Sequence, residues 1–412
     1  MNHRMSQADR PQPAPTAPST VAPTPARQTT SRGPVGPVGP VALVSSAHAG
    51  SAQRGHPREL LERAGVRVAL SLPVEALDAR EPQGQRWREA GCVAAVAAGG
   101  DGTVGAVATH AVGADLPLGI LPMGTANDVA RALGLPLAPE TAAAVIASGE
   151  PRAIDAGQAV PSQTQPRASD QQATPASGAA LVDALTDAPG APGGAYFLHA
   201  LTLGLNVEFA RLATDAEQRR LWGRLTYIAS AIESLERLRP IAVTLRFAGL
   251  VGGANDDPDA IVETRLETAL LTAINLPVFG GRLGLRVPGV RTDDRLLDFI
   301  VIEAPDPRGA RAAFEAALAG LSRMAQTRWA PENTSGTALA SQLPARSMAG
   351  SAGLALPGAR WFRARAVEII TEQPVELTLD GELRGRTPAV ARVAPKAVRV
   401  IAPASAQAAR GG

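Results

Sequence analysis

From Val41 onward the chain alternates short apolar runs with stretches in which apolar residues recur every three or four positions. Short apolar runs fall at residues 41–44, 66–70, 93–98 and 118–121, as expected of strands in a covered sheet. Helix-like segments separate them, so this part predicts a parallel sheet with helices on both sides. The helix that follows Asn127 and Asp128 carries Val129, Ala130 and Leu133, then meets Gly134 and Pro136 as stop signals.

Beyond residue 194 the pattern turns strand-like. Runs at 196–203, 241–247, 267–274 and 296–302, followed by Val367, Ile369, Val375, Leu377 and Leu379, predict a mainly antiparallel second region. One helix interrupts it, with Leu221, Leu225, Ile228, Ile232, Leu235 and Leu238 at three- and four-residue steps before Pro240. Its outer Arg219, Arg220, Arg224 and Arg237 suit either a solvated cover over a sheet or a face apposed to lipid headgroups. Val398, Val400 and Ile401 form the last strand. The predicted class is α/β in two domains, a doubly wound parallel-sheet N-terminal domain and a mainly antiparallel β second domain.

Three stretches lack periodicity. Residues 1–40, rich in Pro, Ser, Thr, Ala and Gln and ending in Gly33-Pro34-Val35-Gly36-Pro37-Val38, read as a disordered tail. Its Arg4, Arg10, Arg27 and Arg32 against Asp9 fit an inert tail or a weak tether to anionic lipid. Residues 158–194 and 326–358 read as low-complexity insertions. With Ile154-Asp155-Ala156-Gly157 as an edge, the expected domains span 41–156 and 157–387, the first completed by about 388–404.

Composition narrows the partners. A chain of 412 residues with 45% hydrophobic content can bury two cores. Its net charge of +2 is too mild for a nucleic-acid footprint. Cys92 stands alone, which excludes an intrachain disulfide framework and suits a reducing cytoplasm. No apolar run approaches the ~18 residues that span a bilayer, and the N-terminal segment lacks a hydrophobic signal core, so membrane contact is expected to be peripheral.

The chemistry concentrates in two turns. Ala97-Ala98-Gly99-Gly100-Asp101-Gly102-Thr103 and Leu121-Pro122-Met123-Gly124-Thr125-Ala126-Asn127-Asp128 each follow a predicted strand and lead into a helix. Glycine lets backbone approach an anion, and N–H groups at a helix start carry positive partial charge, so such turns fit either nucleotide phosphate or a plain tight connection. Asp101 beside a triphosphate would need a cation to offset repulsion, which points to Mg2+ with Asp128 and Asp155 in reach through water. Asp128 is equally an ordinary acidic residue in a first helical turn. Leu379-Asp380-Gly381-Glu382 reads as a two-residue hairpin turn.

Together these motifs resemble the diacylglycerol kinase and sphingosine kinase catalytic family, in its bacterial lipid kinase branch, over roughly residues 41–156 and 195–403. The resemblance implies an ATP- and Mg2+-dependent kinase that phosphorylates a lipid hydroxyl, diacylglycerol-like or sphingoid, at the inner face of the membrane. It assigns Gly99, Gly100, Gly102, Thr103, Gly124, Thr125 and Asn127 to the nucleotide, with Ser46 and Gly50 from the first strand. There the family shows Asn-Pro-x-Ser/Ala-Gly, and this chain has Ser46-Ala47-His48-Ala49-Gly50. Asp380 is implied as the base with Glu382 supporting it, Asp101 completes the catalytic set, and the last strand returns to the first domain.

Residues 293–298 are similar to the family's Asp-Asp-Gly-x-Leu-Asp segment, where some bacterial members bind a structural magnesium, and Asp294 is the implied ligand. Arg295 replaces that glycine, adding a cation and restricting the backbone. Gly280, Gly281 and Pro288 match the glycine-rich stretch before it. NAD kinases and phosphofructokinases share a Gly-Gly-Asp-Gly turn, so a non-lipid acceptor is one alternative, although no Thr-Pro-x-Gly-Ser-Thr segment is present. A catalytically silent nucleotide- or lipid-binding regulator is the other. A homodimer is compatible with either.

Overall fold

A computed structural model describes residues 39–46, 55–77, 83–161, 194–204, 240–251, 260–279, 285–287, 289–303, 354–356 and 359–404. The expected tail up to residue 38, Gly50, Gly280, Gly281, Pro288, and the helix at 221–238 with its four arginines lie outside these residues.

The N-terminal part follows the predicted alternation: β1 (Val41–Ser45), α1 (Pro57–Arg63), β2 (Val68–Pro73), α2 (Gln83–Glu89), β3 (Ala94–Gly99), α3 (Asp101–Gly113), β4 (Leu118–Pro122), α4 (Asp128–Ala132) and α5 (Pro139–Ser148). Strands β4, β3, β1 and β2 are neighbours in that order and pair in parallel. Their side chains divide cleanly between two cores. Ala42, Val44, Ala95, Ala97, Leu118 and Ile120 face Val104 and Val107 of α3. Val41, Leu43, Ala94, Val96 and Ala98 face Leu60 and Leu61 of α1 and Ala142 and Ile146 of α5. Burial on both faces is why β1, β3 and β4 read as unbroken apolar runs, whereas β2, at the end of the strand order, alternates exposed with buried or half-buried positions.

The chain continues through β5 (Glu150–Pro161), β6 (Ala195–Phe197), β7 (Ala200–Gly204), β8 (Ile241–Ala248), β9 (Ile261–Ile274), β10 (Val278–Phe279), β11 (Leu285–Arg286), β12 (Leu297–Glu303), β13 (Leu354–Leu356), β14 (Ala359–Ala364), β15 (Ala366–Thr371), β16 (Glu376–Leu379), β17 (Glu382–Arg386) and β18 (Ala389–Ala402). Strands β14, β12, β9, β8, β15 and β18 pair antiparallel in sequence. Phe247, Phe299 and Phe362 anchor their core, with ring centroids 5.5 and 4.9 Å from Phe247. At its far end β18 runs parallel to β4 through Val400 and Leu118, and β5 lies antiparallel along it, passing unbroken through Ala156 and Gly157.

Two sequence expectations need correction. The expected insertion at 326–358 contains an edge strand, β13, paired to β14. The single strand expected over 196–203 is broken at Leu198 and His199, because amides there turn away from the ladder toward Asp380.

Candidate active site

β3 consists of Ala and Val up to Gly99 and is wholly buried, so its end is fixed in the sheet. Gly100 then takes an extended conformation and caps α3, whose first N–H groups have no intrahelical acceptor. A Cβ at Gly99 would fall 2.4 Å from Thr103 Oγ1, so only glycine fits beneath that buried threonine. The turn after β4 meets this one directly. Met123 and Gly124 donate N–H to the Gly99 carbonyl at 2.9 and 3.1 Å, and a Cβ at Gly124 would lie 2.4 Å from Gly100 Cα.

Asn127, expected at the phosphates, and Asp101, expected in the catalytic and metal set, both serve the turns themselves. The Asn127 amide accepts the Gly124 N–H at 2.9 Å and donates to the Gly124 carbonyl at 3.0 Å, while its backbone sits in the left-handed region. The Asp101 carboxylate accepts the N–H groups of Asp128 at 3.1 Å and Val129 at 2.8 Å, capping α4 from the neighbouring helix. Asp128 is buried behind it and Thr125 is exposed. Ser46, half-buried at the end of β1, donates its N–H to Ala98 at 3.1 Å.

The third component is the β16–β17 hairpin. Asp380 and Gly381 both have positive φ, the two-residue turn that an Asp-Gly pair favours. The tip docks on α3: a Cβ at Gly105 would meet Asp380 Oδ2 at 2.3 Å, and one at Gly102 would meet Glu382 Cγ at 2.4 Å. Glycines three apart on one helix face admit the two carboxylates to contact with backbone. Asp380 is buried and receives three amides, Leu198 on Oδ2 at 2.9 Å and His199 and Ala200 on Oδ1 at 2.8 and 3.0 Å. Burial pushes its carboxyl up to about 6, against the pull of those amides and of His199. Glu382 remains exposed, beside the first turn of α3.

Asp155 and Asp294 lie elsewhere. Asp155 is fully buried, and its carboxylate accepts the N–H of Arg295 at 2.8 Å and of Lys396 at 2.8 Å, two residues whose backbones are left-handed. Asp294 is ion-paired with Arg363 and accepts the Leu296 N–H at 3.2 Å. Burial raises the Asp294 carboxyl, with Arg363 opposing and Asp155 adding to the rise. Among the described residues, no three His, Cys, Asp or Glu side chains are grouped so as to hold a metal ion. Sequence reasoning passed over Gly105, the 198–200 amides and Arg363. A Gly-x-x-Gly spacing on α3 was the one available signal, since amides and a distant arginine leave none.

Residues 44–159 match the family model of the diacylglycerol kinase catalytic domain. A diacylglycerol kinase of Mycobacterium tuberculosis (strain ATCC 25618 / H37Rv) is 28% identical over 266 residues, covering 64% of this chain and 69% of that one. Lipid kinase YegS of Escherichia coli (strain K12) is 38% identical over 103 residues, 24% of this chain and 34% of the relative. A solved structure described as a diacylglycerol kinase of Bacillus anthracis str. Sterne superposes with a TM-score of 0.50 at 19% identity, over 88% of this chain and 96% of that one. A second from the same organism gives 0.52 at 18%, covering 88% and 94%. At that identity the likeness concerns the fold.

Proposed function

We propose that this chain, whose residues 44–159 match the diacylglycerol kinase catalytic domain model, is an ATP-dependent lipid kinase in which Glu382 takes the proton from the acceptor hydroxyl as the γ-phosphoryl group is transferred. The observation that carries this reading is the exposed Glu382 carboxylate lying over Gly102, where α3 begins. Glycine turns that touch at Gly100 and Gly124 give backbone access to the phosphates, and the N–H groups of the first α3 turn supply positive partial charge. Mg2+ enters with ATP as part of the substrate, offsetting phosphate charge beside Asp101 and Glu382.

In the transfer step the lipid oxygen attacks the γ-phosphorus, its proton passes to Glu382, and the bond to the β-phosphate oxygen breaks to release ADP. Asp380 acts through the hairpin. With its oxygens held by three amides, it fixes the tip on α3 and so aims Glu382. This reverses the order expected from the sequence, in which Asp380 was the base. Asp101 holds the second turn against the first and is likewise a positioning residue.

The acceptor is a lipid with a free hydroxyl, diacylglycerol or a sphingoid base, met at the membrane surface. Among the described residues no helix is long and apolar enough to cross a bilayer, which fits peripheral contact. The test is incubation of the full chain with γ-labelled ATP and MgCl2 against diacylglycerol, sphingosine and NAD. Label in a lipid supports the reading. Label in NAD alone would move the chain to a different acceptor class, and ATP binding with no turnover on any acceptor would make it a silent relative.

A further inference from the structure

The resemblance places a structural magnesium at residues 293–298, with Asp294 as a ligand. The side chains present do not fit that ion. Arg363 on β14 stands directly across the ladder from Asp298 on β12. Its guanidinium is ion-paired with Asp294 through Nη2 and lies 3.2 Å from Asp298 Oδ1 through Nε. The same Asp298 oxygen accepts the Trp361 indole N–H at 2.7 Å. Asp293, exposed, is turned to Arg291 at 3.0 Å. Asp155 closes the turn from below through the Arg295 and Lys396 amides.

Around this turn, Asp298 Oδ2 and Arg363 Nε lack a hydrogen-bond partner among the described residues, so the contact of Arg363 Nε with Asp298 is one of charge. A single oxygen beside a guanidinium is a poor magnesium site, because the ion needs near-octahedral oxygen coordination and a protein cation a few ångströms away repels it. The planar fork of arginine instead offers two edges to two carboxylates at once, which a compact ammonium does not. Burying Asp294 and Asp298 together demands positive charge, and the chain provides it in Arg363.

We propose that Arg363 is the resident cation of the turn at 293–298, so that this segment is assembled without a divalent ion. The position of Arg295 agrees with this. Its left-handed backbone, at φ 60°, keeps the turn geometry that glycine serves in the family, while its amide rather than a metal ties the turn to Asp155. The inference is independent of the phosphoryl-transfer reading and goes beyond it.

The test is thermal unfolding of the full chain without nucleotide, first treated with EDTA and then dialysed into MgCl2 or CaCl2. The wild-type Tm is expected to stay within about 1 °C across these conditions. Arg363→Met, which leaves both carboxylates without their cation, is expected to lower Tm by several degrees, and Arg363→Lys by less. A rise in wild-type Tm with Mg2+ that Asp294→Asn abolishes would overturn the proposal, as would Arg363→Met melting with the wild type. Should Arg363→Met fail to fold, the wild-type metal response and Arg363→Lys still decide the matter.

Discussion

Two regions of this molecule contain aspartates in motif positions, and the structure treats them in opposite ways. At the hairpin tip, Asp380 is held by three amides while its neighbour Glu382 is left exposed over the start of α3. At residues 293–298, Asp294 and Asp298 face Arg363 and Asp155 binds two amides. The first region ends with an exposed carboxylate beside the first turn of α3. The second ends with its charges neutralised inside the protein. An acidic motif therefore does not by itself identify a metal ligand or a base, and the donors that reach each oxygen decide its role.

The strongest way to break this contrast is at Glu382. Glu382→Gln is expected to lower kcat about 10²–10⁴-fold, the range for losing a proton acceptor, with ATP affinity nearly unchanged. Steady-state kinetics beside nucleotide-binding calorimetry would separate the two effects. A kcat within threefold of wild type would remove Glu382 from the chemistry and leave both regions structural.

The docking of the tip on α3 can be tested by the sign of one substitution. An exposed helical Gly→Ala change gains up to about 1 kcal/mol from intrinsic propensity. At Gly105 the added methyl would meet Asp380 Oδ2 at 2.3 Å, so Gly105→Ala should instead lose about 1–3 kcal/mol through overpacking. Denaturant unfolding measures it, and a stabilised variant would mean the tip does not rest there.

The buried Asp380 gives the comparison a pH axis. Its carboxyl is raised to about 6 in the fold against an ordinary 3.8, so the folded state holds the proton more readily than the unfolded chain. Its contribution to stability is therefore complete below about pH 4 and is lost as pH rises through about 6. Tm measured from pH 4 to 7 should show Asp380→Asn losing least relative to wild type at the upper end. A constant difference across that range would contradict the raised carboxyl.

Much of this organisation was legible in the sequence. Strands β1, β3 and β4 showed as continuous apolar runs because both their faces are buried, and the Asp380-Gly381 turn showed because both residues need positive φ. The glycine turns were legible as turns. What escaped was the partner of each carboxylate. Asp101 lies 27 residues from the Asp128 amide, and Asp380 lies 180 to 182 from the amides it receives, so no local pattern encodes either bond. Separation along the chain likewise hid Arg363 from Asp294, and only Arg295 in a glycine position hinted that the turn differs from the Asp-Asp-Gly-x-Leu-Asp pattern it resembles.

The smallest expected effect concerns that residue. Arg295 holds a left-handed backbone that costs a non-glycine residue roughly 1–2 kcal/mol, partly offset because glycine also gains freedom in the unfolded chain. Arg295→Gly should therefore raise stability by up to about 1 kcal/mol by these same terms. A loss would show that the arginine side chain itself supports the turn.

The division of labour between Asp380 and Glu382 is tested most directly by comparing kcat and Tm for Glu382→Gln and Asp380→Asn under one set of conditions. The expected result is that Glu382→Gln loses turnover with Tm unchanged, whereas Asp380→Asn shifts Tm and loses less turnover. Turnover abolished in Asp380→Asn at wild-type Tm, with Glu382→Gln still active, would contradict the assignment.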